Sequence, residues 1–271
     1  MIEPLRGQSI GGWDCHVHVF SAAAPARRGH YRPGDHSLAQ IKVAAQARGV
    51  DHLVIVQPSV YGTDNQLLLD ALAVDPGWHR GIVVVDPHVS DTQLDEMHAL
   101  GVRGVRFNLV SPVGERTSPM QGFATLAPRL RKRNWHVQWY VGTEHLSTVA
   151  ALHRDSGVTC VLDHLAGIHA GVAAGDPAWR FIEDLAMQGA WIKLSGWYRL
   201  NAREPYSELV PQVRRLAALF RERMVWGSDW PHTMFKADAL PSYESTWHPV
   251  EVALGVEAAH ALRCAQPVVY L

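Results

Sequence analysis

Apolar residues follow two rhythms along this chain. Short β-branched or apolar runs recur as WDCHVHVF, HLVIVQP, GIVVVDP, GVRGVRFN, HVQWYVG, VTCVLDHLAG, AWIKLSG and MVWGSDWPH, which have the length and composition of strands. Between them lie LAQIKVAAQARG, NQLLLDALAVDPG, TQLDEMHALG, FATLAPRLRKRN, EHLSTVAALHRDSG, AWRFIEDLAMQG and SELVPQVRRLAALFRER. Their apolar residues return every three to four positions, and several close on Gly or Asn, as helices do. Strand and helix alternating through 271 residues predicts one α/β domain, a (β/α)8 TIM barrel over residues 1–271. An open doubly wound sheet is the alternative, but HVHVFSAAAP stands where a glycine-rich phosphate loop would follow the first strand.

One segment breaks the pattern. Ser21 to Ser37, SAAAPARRGHYRPGDHS, is too long and too rich in Pro and Gly for a simple strand-to-helix turn, and is expected to be a loop over the barrel mouth. Composition narrows the partners. The formal charge is −1, so no global field attracts nucleic acid or an anionic membrane, and a small molecule is the expected partner. Cys15, Cys160 and Cys264 are an odd number at wide spacings, without a disulfide framework. With no apolar signal core in MIEPLRGQSI and no run of about 18 apolar residues, a cytoplasmic protein is expected, as a monomer or a homo-oligomer.

In a barrel the C-terminal strand ends carry the chemistry. The first strand brings His16 and His18, with Asp14 two residues earlier; alternation places all three on one face. The fourth brings Arg106 and Asn108, the fifth Gln138 and Tyr140, the sixth Asp163 and His164, the seventh Lys193 and Ser195, the eighth Ser228 and Asp229. Each has a structural explanation alone: a salt bridge for Arg106, a core aromatic for Tyr140, a helix cap for Asp229. Three histidines and a carboxylate at one end of one barrel point instead to catalysis. Asp14 is expected to orient a histidine from below, and His164 to be the inward member of the Asp163–His164 pair.

DCHVHVF, VQPSVYGTDN, GVRGVRFNL, LDHLAG, VWGSDWPH and AQPVVYL resemble the amidohydrolase superfamily (amidohydrolase-related family 2). The likeness is to its branch of 2-pyrone-4,6-dicarboxylate lactonases and related sugar-lactone and muconolactone hydrolases. The resemblance runs nearly end to end and implies a metal-dependent-hydrolase type of TIM barrel. It also implies hydrolysis of a small carboxylated lactone, with Asp229 as the base for water and His16, His18 and His164 polarising the carbonyl. Arg106, Tyr140, Arg199, Ser59 and Tyr61 would bind the anionic substrate, the arginines through paired charge-assisted hydrogen bonds. Binuclear members carry a carboxylated Lys on the fourth strand and a His on the fifth, where this chain has VRFN and VQWYVG. The cofactor expectation is therefore none obligatory, or a single zinc held by His16, His18, His164 and Asp229. The alternative activity is metal-dependent decarboxylation of an aromatic or related carboxylic acid. A barrel that binds a small acid without turnover is the non-enzymatic reading.

Overall fold

The structure is a computed structural model that describes residues 11–26, 34–111, 119–233, 235 and 239–271. Residues 27–33 of the expected mouth loop lie outside the described residues. Eight strands form one sheet in sequential order: β1 Gly12–Val17, β2 Val50–Val56, β3 Arg80–Val83, β4 Val102–Asn108, β5 His136–Tyr140, β6 Cys160–Leu162, β7 Trp191–Leu194 and β8 Met224–Trp226. Each consecutive pair is parallel. The circle closes beyond the end of β8, where the Asp229 amide donates to the His16 carbonyl at 2.8 Å and the His18 amide to the Trp230 carbonyl at 2.9 Å. Closure therefore sets Asp229 directly beside His16 and His18.

Helices α1 Leu38–Gln46, α2 Gln66–Val74, α3 Asp91–Ala99, α4 Pro119–Lys132, α5 Leu146–His153, α6 Ala178–Met187 and α7 Val210–Phe220 alternate with the strands, and α8 His248–Leu254 and α9 Val256–Cys264 follow β8. Ser37 and Ser90 begin α1 and α3 with capping boxes closed by Gln40 and Gln93, which satisfy amides that the first turn leaves bare. The amphipathic helices lay apolar stripes on the barrel: α6 buries Ala178, Trp179, Ile182, Leu185 and Ala186, and α7 buries Val210, Val213, Leu216 and Phe220. A large side chain buried in this way contributes about 1.5–3 kcal/mol. Gly255, with φ 84°, separates α8 from α9, a pair that the strand and helix rhythm did not indicate. All three cysteines are free. Among the described residues, no helix is long and apolar enough to cross a membrane.

The floor of the barrel is filled by Trp13, Cys15, Val54, Val56, Ile82, Val225 and Tyr270, the last from the closing turn of the chain. Strict alternation fails in β1. Its register with β2 slips between Asp14 and Val17, so Cys15 joins the interior cluster with Trp13 although His16 also faces inward.

Candidate active site

Three histidines meet at the mouth of the barrel. The ring of His16 lies 4.9 Å from that of His18 and 4.7 Å from that of His164. His18 turns Nδ1 to the Val56 carbonyl at 2.7 Å and Nε2 to Asp229 Oδ1 at 3.3 Å. His16 Nδ1 is 3.1 Å from Lys193 Nζ, and its Nε2 is 3.7 Å from Asp229 Oδ1. His164 Nδ1 is 2.9 Å from Ser195 Oγ. The Nε2 atoms of His16 and His164 are buried and without a hydrogen-bond partner among the described residues.

Two acid and base pairs flank the rings. Arg199 Nε and Tyr198 Oη donate to Asp229 Oδ2 at 2.5 and 2.7 Å. Arg106 Nε donates to Asp163 Oδ2 at 2.8 Å, and Lys193 Nζ is 3.2 Å from Asp163 Oδ1. The Tyr140 ring lies between the two guanidiniums, 5.2 Å from that of Arg106 and 5.8 Å from that of Arg199, and meets His164 edge-on at 4.8 Å.

Charge states follow from this geometry. Burial raises Asp229, but the Arg199 guanidinium, His164 and the His18 hydrogen bond outweigh it and hold its carboxyl well below the usual range. Asp163 behaves alike: burial is opposed by Lys193, His16 and Arg106, and the group is held low. Burial lowers His16 well below an ordinary imidazole, with the Lys193 charge adding to it, depresses His164 to about 3, and lowers His18 as well. At neutral pH the centre has ionised carboxylates and neutral imidazoles.

Backbone conformation explains why Asp163 and His164 both enter the site. His164, Leu165 and Ala166 have φ of 48°, 52° and 56°, a left-handed turn that costs about 1–2 kcal/mol for each such residue. The turn swings His164 back over the barrel instead of letting it alternate outward. Two glycines make room for the rings. A Cβ on Gly227 would lie 2.5 Å from His16 Cβ, and one on Gly196, at φ 62°, would lie 2.3 Å from His164 Nδ1.

Residues 13–249 match the family described as Amidohydrolase. The chain belongs to the amidohydrolase family. This amidohydrolase is 33% identical over 257 residues to 2-pyrone-4,6-dicarboxylate hydrolase of Comamonas testosteroni, covering 88% of this chain and 82% of that protein. It is 29% identical over 230 residues to 4-sulfomuconolactone hydrolase of Rhizobium radiobacter, covering 82% and 76%. The crystal structure of a candidate 2-pyrone-4,6-dicarboxylic acid hydrolase from Pseudomonas putida aligns with a TM-score of 0.84 at 30% identity, over 96% of this chain and 97% of that one.

Within the amidohydrolase, His16, His18, His164, Asp229, Arg106, Tyr140 and Arg199 converge on one centre. Ser59 and Tyr61 lie in a short turn after β2 and bond to none of these seven residues. Ser59 Oγ accepts from Asn108 Nδ2 at 2.7 Å. The Tyr61 hydroxyl exchanges hydrogen bonds with the Ser21 backbone at 3.0 and 3.1 Å, tying down the start of the segment after β1. Asp14 touches no histidine ring: it accepts from the His16 and Ser228 amides and from the Tyr243 hydroxyl, so it joins the backbones of β1 and the β8 end. Lys193, Asp163 and Tyr198 are additional members. Lys193 had a sequence signal, a lone lysine between apolar residues in AWIKLSG; Tyr198 had none.

His16, His18 and Asp229, and separately His16, Asp163 and His164, bring donor atoms within 4.8 Å of one another, close enough to hold a metal ion. His164 thus groups with Asp163 and His16 and not with the other two residues named for zinc.

Proposed function

We propose that this amidohydrolase opens a small carboxylated lactone by adding water to its carbonyl carbon. The observation that carries the reading is the placing of two buried, unpartnered imidazole nitrogens, His16 Nε2 and His164 Nε2, beside one ionised carboxylate at the mouth of the barrel. The kinship with named lactone hydrolases supports it.

The hydrogen bonds divide the histidines between two tasks. A carbonyl oxygen can only accept, so His18 Nδ1 must donate to Val56, and the neutral ring then presents a lone pair at Nε2. That lone pair faces Asp229 Oδ1 at 3.3 Å. Two acceptors so placed suit a water molecule that gives one hydrogen to each, which aims its oxygen lone pair at a substrate. As the oxygen attacks, Asp229 Oδ1 takes the proton, while Oδ2 stays fixed by Arg199 and Tyr198. His16 Nε2 and His164 Nε2 face the developing oxyanion. Collapse of the tetrahedral intermediate breaks the ring C–O bond, and the proton held by Asp229 passes to the leaving oxygen, giving a hydroxy acid.

Substrate carboxylate is assigned to the guanidinium faces. Both arginines are oriented at Nε by a carboxylate, and the terminal nitrogens of Arg106 bond to no described residue. Tyr140 between them supplies a ring face and a hydroxyl.

A divalent ion fits these donors poorly, although they are near enough. Lys193 donates to His16, Arg199 and Tyr198 occupy Asp229, and Arg106 and Lys193 occupy Asp163. Three cations already outnumber the two carboxylates, and no step is assigned to a metal. The test is a screen of lactones bearing a free carboxylate against their methyl esters, with the purified protein and with Asp229→Asn. Turnover of carboxylated lactones that disappears in the variant is expected. Hydrolysis of none of them, with release of CO2 from aromatic acids instead, would overturn the reading.

A further inference from the structure

Lys193 is the third residue of β7 and is fully buried. An ammonium has three N–H groups and no acceptor; Nζ donates to Gln138 Oε1 at 2.7 Å, lies 3.1 Å from His16 Nδ1, and forms an ion pair at 3.2 Å with Asp163 Oδ1, which has no hydrogen-bond partner among the described residues. Gln138 is held in turn by His136 Nε2 at 3.0 Å and the Tyr270 hydroxyl at 3.4 Å. A counterion for Asp163 does not account for this arrangement. Arg106 already pairs with Asp163 at 2.8 Å, and the desolvation of a second buried cation is repaid only where further hydrogen bonds satisfy its protons.

We propose that Lys193 is a positioning residue that sets the tautomer of His16, so that the buried Nε2 carries the proton and acts as a donor toward the substrate carbonyl. Nζ can only donate to Nδ1, and a neutral imidazole whose Nδ1 accepts keeps its single proton on Nε2. Asp163 Oδ1 is 3.6 Å from the same Nδ1, beyond hydrogen-bond distance, so Lys193 Nζ, at 3.1 Å, is the nearer partner of that nitrogen. On the far side, Nε2 is 3.7 Å from Asp229 Oδ1, too far to spend its proton there. That leaves the N–H free for a third atom.

Without Lys193, Asp163 is the remaining acceptor at Nδ1. The ring would then protonate at Nδ1 and turn a lone pair toward the substrate, as an imidazole does when it serves as a base or a metal ligand. One buried amine thus decides whether His16 gives a hydrogen bond or receives one. The kinetic consequence rests on the lactone-opening reading; the tautomer does not.

The experiment uses the full chain labelled with nitrogen-15 in its histidines. Long-range proton–nitrogen spectra distinguish the tautomers, and the His16→Asn variant assigns the signal. In the wild type, His16 is expected to be protonated at Nε2. In Lys193→Met, the signal should move toward Nδ1 protonation, with kcat on a carboxylated lactone falling about 10²–10³-fold, the scale of losing one oxyanion donor, and KM changing less than about threefold. A wild-type His16 protonated at Nδ1 overturns the proposal, as does a Lys193→Met protein with unchanged tautomer or unchanged kcat. The wild-type spectrum decides even if the variant does not fold. An Nε2-protonated His16 in a protein that opens no lactone defeats the functional reading and leaves the tautomer assignment standing.

Discussion

Arg199 Nε lies 2.5 Å from Asp229 Oδ2 and its Nη2 3.5 Å from Oδ1, so the carboxylate proposed as the base is gripped chiefly at Oδ2 while Oδ1 faces His18. With Asp229 held well below the ordinary carboxylate range, its basic form persists into acid solution. The acid limb of kcat/KM should therefore fall below the usual carboxylate range in the wild type. In Arg199→Met it should move up toward that range, because the main opposing charge has gone. A pH–rate profile that is the same in both proteins would separate the limb from Asp229.

Asp229→Asn should abolish turnover, by at least about 10³-fold in kcat. It should also lower stability by about 3 kcal/mol, because Arg199, a mostly buried cation, loses its carboxylate. Thermal melting and steady-state rates on one preparation check both; an unchanged melting temperature would show that the Arg199 pair contributes little to the fold.

Arg106→Met should weaken carboxylated substrates or inhibitors about tenfold to a hundredfold relative to their methyl esters, since Asp163 keeps Lys193 as a partner. Comparable losses for acid and ester would assign Arg106 to supporting the barrel.

Exhaustive chelation should leave lactone hydrolysis unchanged within about twofold, and added zinc should not raise it, because the donors of the centre are already engaged with Lys193 and Arg199. Elemental analysis with rates before and after chelation is the check. Zinc-restored activity would transfer His16, His18 and Asp229 to a metal centre.

Asp14 gives a stability prediction of opposite sign to the other carboxylates. Burial pushes its carboxyl up to about 6, against the hydrogen bonds from Ser228, His16 and Tyr243. The folded state therefore binds its proton more tightly than the unfolded state. Between about pH 4 and pH 6 this group should make stability fall as pH rises, by up to about 3 kcal/mol. Asp14→Asn should flatten that part of the stability curve, as read by denaturant unfolding across the window.

The barrel was legible because its alternation of strand and helix repeats without interruption until β8. His16, His18 and Asp229 were legible because polar residues at apolar strand ends are costly unless used. What failed was the assumption of regular alternation. The slip in β1 separated Asp14 from the histidines, and the left-handed turn at His164 brought Asp163 into the same centre. Helices α8 and α9 have short, mixed faces that carry little period. Tyr198 reaches Asp229 from a turn, where no periodicity applies.

The Tyr270 hydroxyl, reached through Gln138 and Lys193, belongs to the support beneath His16. The ring is buttressed only once these far-separated segments have met, so the support under His16 is a property of the closed barrel and of no local stretch of it.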